Sequence, residues 1–145
     1  MKVVLQRVRS ATVVVDTQVV GEIGPGYLLL VGIAAGDDEA TVHRLATEVA
    51  KARLMPDPQG KMGVNLRDAG GEALAVSQFT LLADFAKGNR PSFNGAAKPE
   101  LAKPLFDRFV HELGMLLGRS VPTGVFGADM AVSLVNDGPV TVVLE

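Results

Sequence analysis

Two short segments hold residue types and positions from which a site could be built. Ser77-Gln78-Phe79-Thr80 puts two hydroxyls and an amide side by side, at the end of an apolar run, Glu72 to Phe79, that reads as a buried strand. Polar side chains where a strand gives way to a loop are a common place to build a site. The same residues also suit a plain strand terminus whose hydroxyls bond nearby backbone, and residue type alone does not choose between the two. The second segment, Asn136-Asp137-Gly138-Pro139, lies between two late apolar runs. Its ordinary reading is a hairpin turn. A Gly-Pro bond can also be cis, as roughly 5–6% of X–Pro bonds are, which would aim successive carbonyls unusually and let them act as fixed acceptors for an amine.

Most other chemistries are excluded by what the sequence lacks. With no cysteine there is no thiolate nucleophile, disulfide or zinc–thiolate site. The two histidines, His43 and His111, fall within amphipathic helical patterns and read as surface or boundary residues. No histidine pair or carboxylate cluster has metal-ligand spacing, and there is no nucleophile elbow, phosphate loop or dinucleotide fingerprint, so neither metal nor cofactor is expected. The net charge of −2 is not that of a generic nucleic-acid binder. Contact with RNA would rest on a local patch, with Arg7 and Arg9 near the start and Lys87 with Arg90 in the middle as candidates. Ordinary solvated charge is the plain alternative for all four.

The elements that must position these residues follow from periodicity. Lys2 to Arg9 alternates, with Val3, Leu5 and Arg7 on one face and Val4, Gln6 and Val8 on the other, which is strand spacing. Ala11 to Val15 continues it, Asp16-Thr17 turns the chain, and Gln18 to Ile23 returns as a hairpin. After Gly24-Pro25-Gly26, the unbroken apolar run Tyr27 to Ile33 suggests a central strand covered on both faces. Gly36-Asp37-Asp38 can cap a helix that starts at Glu39, buries Val42, Leu45, Ala46, Val49 and Ala50, and fades near Leu54 before Pro56 and Pro58. Asp57 to Gly60 reads as a turn, and Thr80 to Ala97 as a long polar loop. Leu101, Leu105, Phe106, Phe109, Val110, Leu113 and Leu117 mark a second amphipathic helix that stops at Gly118; Pro104 requires either a start at Lys103 or a bend. Two last strands, Met130 to Val135 and Val140 to Leu144, close the chain. Two helices cannot cover both faces of so many strands, so the expected fold is a mixed α/β domain spanning 1–145, in β/β/α layers: two stacked sheets with two helices on one side. The N-terminus lacks the apolar stretch of a signal peptide and no run approaches membrane-spanning length, so the expected location is the cytoplasm, with no membrane partner.

Taken together, Ser77-Gln78-Phe79-Thr80-Leu81 and Asn136-Asp137-Gly138-Pro139-Val140-Thr141 resemble the two signature motifs of the D-aminoacyl-tRNA deacylases, also called the D-tyrosyl-tRNA deacylase family. The resemblance runs from Val4-Leu5-Gln6-Arg7-Val8 through Gly21-Glu22-Ile23-Gly24, Gly60-Lys61-Met62 and Arg90-Pro91-Ser92-Phe93 to Thr123 to Met130. It implies a proofreading hydrolase for translation quality control. The substrate would be D-aminoacyl-tRNA, or glycine mischarged on tRNA-Ala, discharged as free amino acid and tRNA. It further implies a homodimer with its active sites at the interface. In that picture Ser77, Gln78, Phe79 and Thr80 line one wall, and a cis Gly138–Pro139 from the partner holds the α-amino group. Arg7 braces that dipeptide, Phe79 and Met130 line the pocket, and Lys87 and Arg90 contact tRNA.

An aminoacyl ester is already activated, so orienting water and stabilising an oxyanion suffice. The backbone N–H groups around Phe79 and Thr80 are the candidate oxyanion donors. Thr80 as a nucleophile would need a base, and neither histidine is placed to serve. Participation of the neighbouring ribose 2′-OH, with Thr80 orienting groups, is the reading the resemblance favours. Two rival classes stay open: a non-catalytic dimeric RNA-binding module using the Lys87–Arg90 loop, and a small-molecule esterase unrelated to tRNA.

Overall fold

The computed structural model describes all residues, Met1–Glu145. Its centre is one strand, β1 (Lys2–Val15), long enough to serve several partners. Along one edge its first half pairs antiparallel with β3 (Gly26–Gly32) and its second half with β2 (Gln18–Ile23). Along the other edge it pairs with the last strand, β7 (Ala131–Leu144). A parallel strand, β6 (Glu72–Ser77), adds beyond β3 and completes a five-stranded sheet. Asp16 and Thr17 both have positive φ, as tight two-residue hairpin turns matched to sheet twist require. A separate small hairpin, β4 (Met55–Pro56) with β5 (Met62–Val64), turns through Asp57–Gly60, where the Asp57 carboxylate accepts the N–H groups of Gln59 and Lys61, both at 2.9 Å.

Helix α1 (Glu39–Lys51) starts where the sequence places it, with the Asp38 carboxylate accepting the Thr41 N–H at 2.9 Å. That hydrogen bond, with a second from the Thr41 hydroxyl, holds the Asp38 carboxyl below its ordinary pKa. Helix α2 (Pro99–Leu117) begins at Pro99 rather than at Lys103, and carries Pro104 inside it. Pro104 lies on the exposed side, where the carbonyl it leaves without a donor, that of Glu100, belongs to an exposed residue. Gly118 ends the helix in the left-handed conformation at φ 72°. Neither helix is long and apolar enough to cross a membrane.

The helices lie on one face of the sheet. Val42, Leu45, Ala46 and Val49 of α1 and Phe106, Phe109 and Leu113 of α2 share a core with Val3, Leu5, Tyr27, Leu29 and Val31. A smaller core holds Val8, Ala11, Val13, Ile23, Leu28, Leu74 and Val76. β3 and β6 thus have apolar side chains on both faces, as the unbroken apolar run predicts. The expected pair of stacked sheets is, however, one hydrogen-bonded sheet that curls over itself. β1 gives Val3 and Leu5 to the larger core, then Val8, Ala11 and Val13 to the smaller. β7 makes the same crossing, with Val142 and Leu144 against the larger core and Val132 and Leu134 against the smaller. Both layers therefore come from two ends of the same strands.

The crossing has a definite place. Val8 pairs with Asn136 and Gln6 pairs with Thr141, so residues 137, 138, 139 and 140 of β7 stand opposite Arg7 alone. The two late strands expected from the sequence are consequently one strand with a bulge, not a hairpin. Asn-Asp-Gly-Pro carries every local mark of a turn, but the strand bulges there and continues in the same direction because β1 is present to pair on both sides.

Candidate active site

The bulge is packed around the Arg7 guanidinium. Nε donates to the Asp137 carbonyl at 3.1 Å, and Nη1 donates to the Leu54 carbonyl at 2.8 Å. The Asp137 carboxylate lies 3.5 Å from the same Nε and 3.8 Å from Nε of Arg9, so it sits between two cations. The Arg7 side chain is 11% exposed and that of Arg9 73%, which makes Arg7 the structural partner and Arg9 a surface charge. The Gly138–Pro139 peptide is cis. Gly138 has φ 126°, and a Cβ there would stand 3.0 Å from Val140 Cγ2 and 3.3 Å from Arg7 Nη2. Glycine suits the position on both counts: any other residue is strained at this φ and crowded by these neighbours.

The other segment is built differently. Ser77 is the last residue of β6, and its neighbour Gln78 donates its N–H to the Val31 carbonyl at 2.8 Å, fastening the strand end to β3. Phe79 and Thr80 open a single 3-10 turn, Phe79–Leu82, rather than extending the strand. Gly32 at the end of β3 lets this turn come close, since a Cβ there would stand 2.9 Å from the Gln78 carbonyl and 2.6 Å from Leu82 Cδ2. The Gln78 amide donates to the Thr80 hydroxyl oxygen. The backbone N–H groups of Phe79 and Thr80 have no acceptor within the chain, as expected of the first residues of a helical turn without a side-chain cap. Two adjacent unpartnered N–H donors beside a hydroxyl, on exposed residues, are the kind of groups that can hydrogen-bond an oxyanion. Neither histidine bonds to Thr80; His43 pairs instead with Glu112 at 3.2 Å, and His111 is exposed on α2.

Phe79 is 57% exposed and meets Phe93 edge to face, with ring centroids 5.0 Å apart. Phe93 lies just beyond a loop closed by a two-way backbone pair between Asp84 and Ser92, at 2.8 Å each way. Lys87 and Arg90 occupy the exposed tip of that loop and have no carboxylate within ion-pair distance. Met130, just before β7, packs on the smaller core, close against Gly124, whose segment continues along β6 through the Gly124 N–H to the Ala75 carbonyl at 3.2 Å.

Within one chain the two segments do not meet. Ser77 is level with Val31 and hence with Val3, whereas Gly138 is level with Arg7, and β3 and β1 lie between their strands. Four residues of strand and three strand spacings separate them along the sheet, about 20 Å were it flat. Two broad surface concavities lie elsewhere: one beside the second half of α2, around His111, Met115 and Arg119, the other beside α1, around His43 and Lys51. Residue types and spacing gave no sign of Leu54, whose role is a backbone carbonyl, or of Phe93 as the partner of Phe79.

A family model described as D-Tyr-tRNA(Tyr) deacylase matches residues 4–145. A D-aminoacyl-tRNA deacylase of Chromobacterium violaceum is 57% identical over 145 residues, covering 100% of this chain and 97% of the relative. The D-aminoacyl-tRNA deacylase of Dechloromonas aromatica is 54% identical, with the same coverage. Among solved structures, one titled c-Myc DNA Unwinding Element Binding Protein superposes with a TM-score of 0.94 at 36% identity, covering 100% of this chain and 98% of that one. Another, titled as a probable eukaryotic D-amino acid tRNA deacylase, has a TM-score of 0.85 at 17% identity over 99% and 97% of the two chains, a likeness of fold.

Proposed function

The chain belongs to the D-aminoacyl-tRNA deacylase family, and on that premise we propose that it hydrolyses the ester joining a D-amino acid, or a glycine mischarged on tRNA-Ala, to the terminal ribose of tRNA. The observation that carries the chemistry is the pair of unpartnered N–H groups at Phe79 and Thr80. They take the negative charge that grows on the ester oxygen as water adds to the carbonyl. The ribose 2′-OH assists from the substrate side. Thr80, whose hydroxyl is engaged by Gln78, orients the reacting groups, since no base is at hand to make it a nucleophile. Ser77 and Gln78 shape the wall, and Phe79 and Met130 bound the pocket.

The α-amino group is held by the carbonyls of Gly138–Pro139, which Arg7 keeps in place. Because this dipeptide is remote from Thr80 in its own chain, it serves the site of a second copy, and the working unit is a homodimer. The free outer edge of β7, with Val135 and Val143 each more than half exposed, supports such an interface. With the amino group and carbonyl both fixed, the side chain has one direction left. A D-residue points outward, an L-residue meets the wall, and glycine offers nothing to reject. Lys87 and Arg90 at their loop tip meet the tRNA backbone, which supplies local attraction despite the overall charge. The setting is the cytoplasm, where charged tRNA is used.

Deacylation of matched D-aminoacyl-, L-aminoacyl- and glycyl-tRNA tests the assignment. Fast release of D-amino acids and glycine with L-aminoacyl-tRNA intact is the expected result. Tight binding without turnover would establish the RNA-binding module instead, and equal turnover of free D-amino acid esters the small-molecule esterase.

A further inference from the structure

Arg7 binds in two directions, to Asp137 on one side and to Leu54 on the other. Leu54 belongs to neither signature segment. It lies in the short link between the end of α1 at Lys51 and β4, a stretch without regular structure that needs something to fix it. The Ala52 N–H bonds back to the Glu48 and Val49 carbonyls and Arg53 Nε donates to the Gly63 carbonyl at 2.8 Å, and on the side facing Arg7 the link is held by Tyr27. It stands beside Arg7 in the sheet, paired with it in register, and is fully buried. Its hydroxyl donates to the Ala52 carbonyl at 3.3 Å. Burial raises the phenol above its ordinary pKa, while the nearby Leu54 backbone and the Arg7 charge pull it back. The other large, fully buried side chains are all hydrocarbon. Phenylalanine would fill the same space without the desolvation of a hydroxyl, so the hydroxyl has work to do there.

We propose that Tyr27 is a positioning residue for the substrate-binding carbonyls: its hydroxyl fixes Ala52–Leu54, the Leu54 carbonyl fixes the Arg7 guanidinium, and Arg7 fixes the Asp137 carbonyl ahead of Gly138–Pro139. The proposal rests on the reading of Gly138–Pro139 as the holder of the α-amino group. Tyr27 touches no substrate and acts only through the chain of contacts.

Tyr27→Phe, Arg7→Lys and the double variant test it, each assayed by single-turnover deacylation of D- and L-aminoacyl-tRNA. Tyr27→Phe is expected to lower kcat/KM for the D-substrate about fivefold, the order of one hydrogen bond, and to lower the D:L ratio with it. In the Arg7→Lys background the same change has little further effect, because the contact it supports is already broken. A merely structural Tyr27 would lower the melting temperature with the D:L ratio unmoved, and its losses would add to those of Arg7→Lys; either result overturns the proposal. If Arg7→Lys alone leaves activity intact, the Gly138–Pro139 reading falls and this inference with it. If Arg7→Lys is damaging and Tyr27→Phe silent, only this inference falls. Should Tyr27→Phe fail to fold, the chain offers a second route, since Tyr27 is its one tyrosine. Fluorotyrosine then labels this position alone. Its ¹⁹F resonance should shift in Gly138→Ala, which does not touch Tyr27, and an unmoved resonance overturns the relay.

Discussion

The bulge at Arg7 and the turn at Phe79 are two solutions to placing backbone polar groups. At the bulge, the Asp137 carbonyl is held by a guanidinium that is itself bonded on a second side, beside a glycine whose replacement would be strained and crowded. At the turn, N–H groups are presented simply by leaving the start of a helical turn uncapped, next to exposed side chains. The first is fixed by surroundings and should tolerate almost nothing. The second is fixed by the backbone and should tolerate side-chain changes that keep its N–H groups.

The largest effect expected from this contrast is at Gly138. Gly138→Ala puts a Cβ against Val140 and Arg7 at a positive φ, and should lower D-aminoacyl-tRNA deacylation by about 100-fold or more, of the order of 3 kcal/mol. Mixing it with a variant damaged at the turn should restore activity in heterodimers, and no recovery on mixing would place both segments in one chain's site. At the turn, Phe79→Pro removes one N–H where proline suits the first helical position. It should fall about 100-fold below Phe79→Ala in single-turnover rate, since both lose the ring and only one loses a donor. Equal rates would end the oxyanion role of that N–H. A smaller effect, under about tenfold, is expected for Thr80→Ala. A trapped acyl ester on Thr80, or normal turnover of a substrate with a 2′-deoxy terminal ribose, would reverse the roles drawn for Thr80 and the ribose. Smallest of all, Lys87→Ala or Arg90→Ala should leave the single-turnover rate alone. Each should reduce the salt slope of tRNA binding by roughly one unit, read from titrations at several salt concentrations.

The same contrast explains what could be read from the sequence. Both signature segments are short and local, and so are the helix start at Asp38, the stop at Gly118 and the turn at Asp16-Thr17. Each of these was legible. The continuity of β7 was not, because Gly138-Pro139 signals a turn to any local reading and only pairing with β1, more than a hundred residues away, overrides it. The single curled sheet was hidden for a related reason. Counting strands says how much surface needs cover, but not that β1 and β7 each supply both layers. Within the site, residue type pointed to the Thr80 hydroxyl and to carbonyls at Gly138–Pro139. The N–H groups of Phe79 and Thr80 were candidates from the sequence, but that they find no acceptor within the chain is visible only in the fold.

The irregularity in β7 also bears on what its free edge can offer to another strand. A bare strand edge of fourteen residues, with valines facing out, would ordinarily invite one neighbour after another to add on, as fibrils grow. Here the straight edge is cut into two short lengths, 131–136 and 141–144, and at the break Pro139 has no N–H to offer. The edge thus offers a neighbouring strand two short stretches of hydrogen-bonding groups in place of one long one, which works against open-ended strand addition.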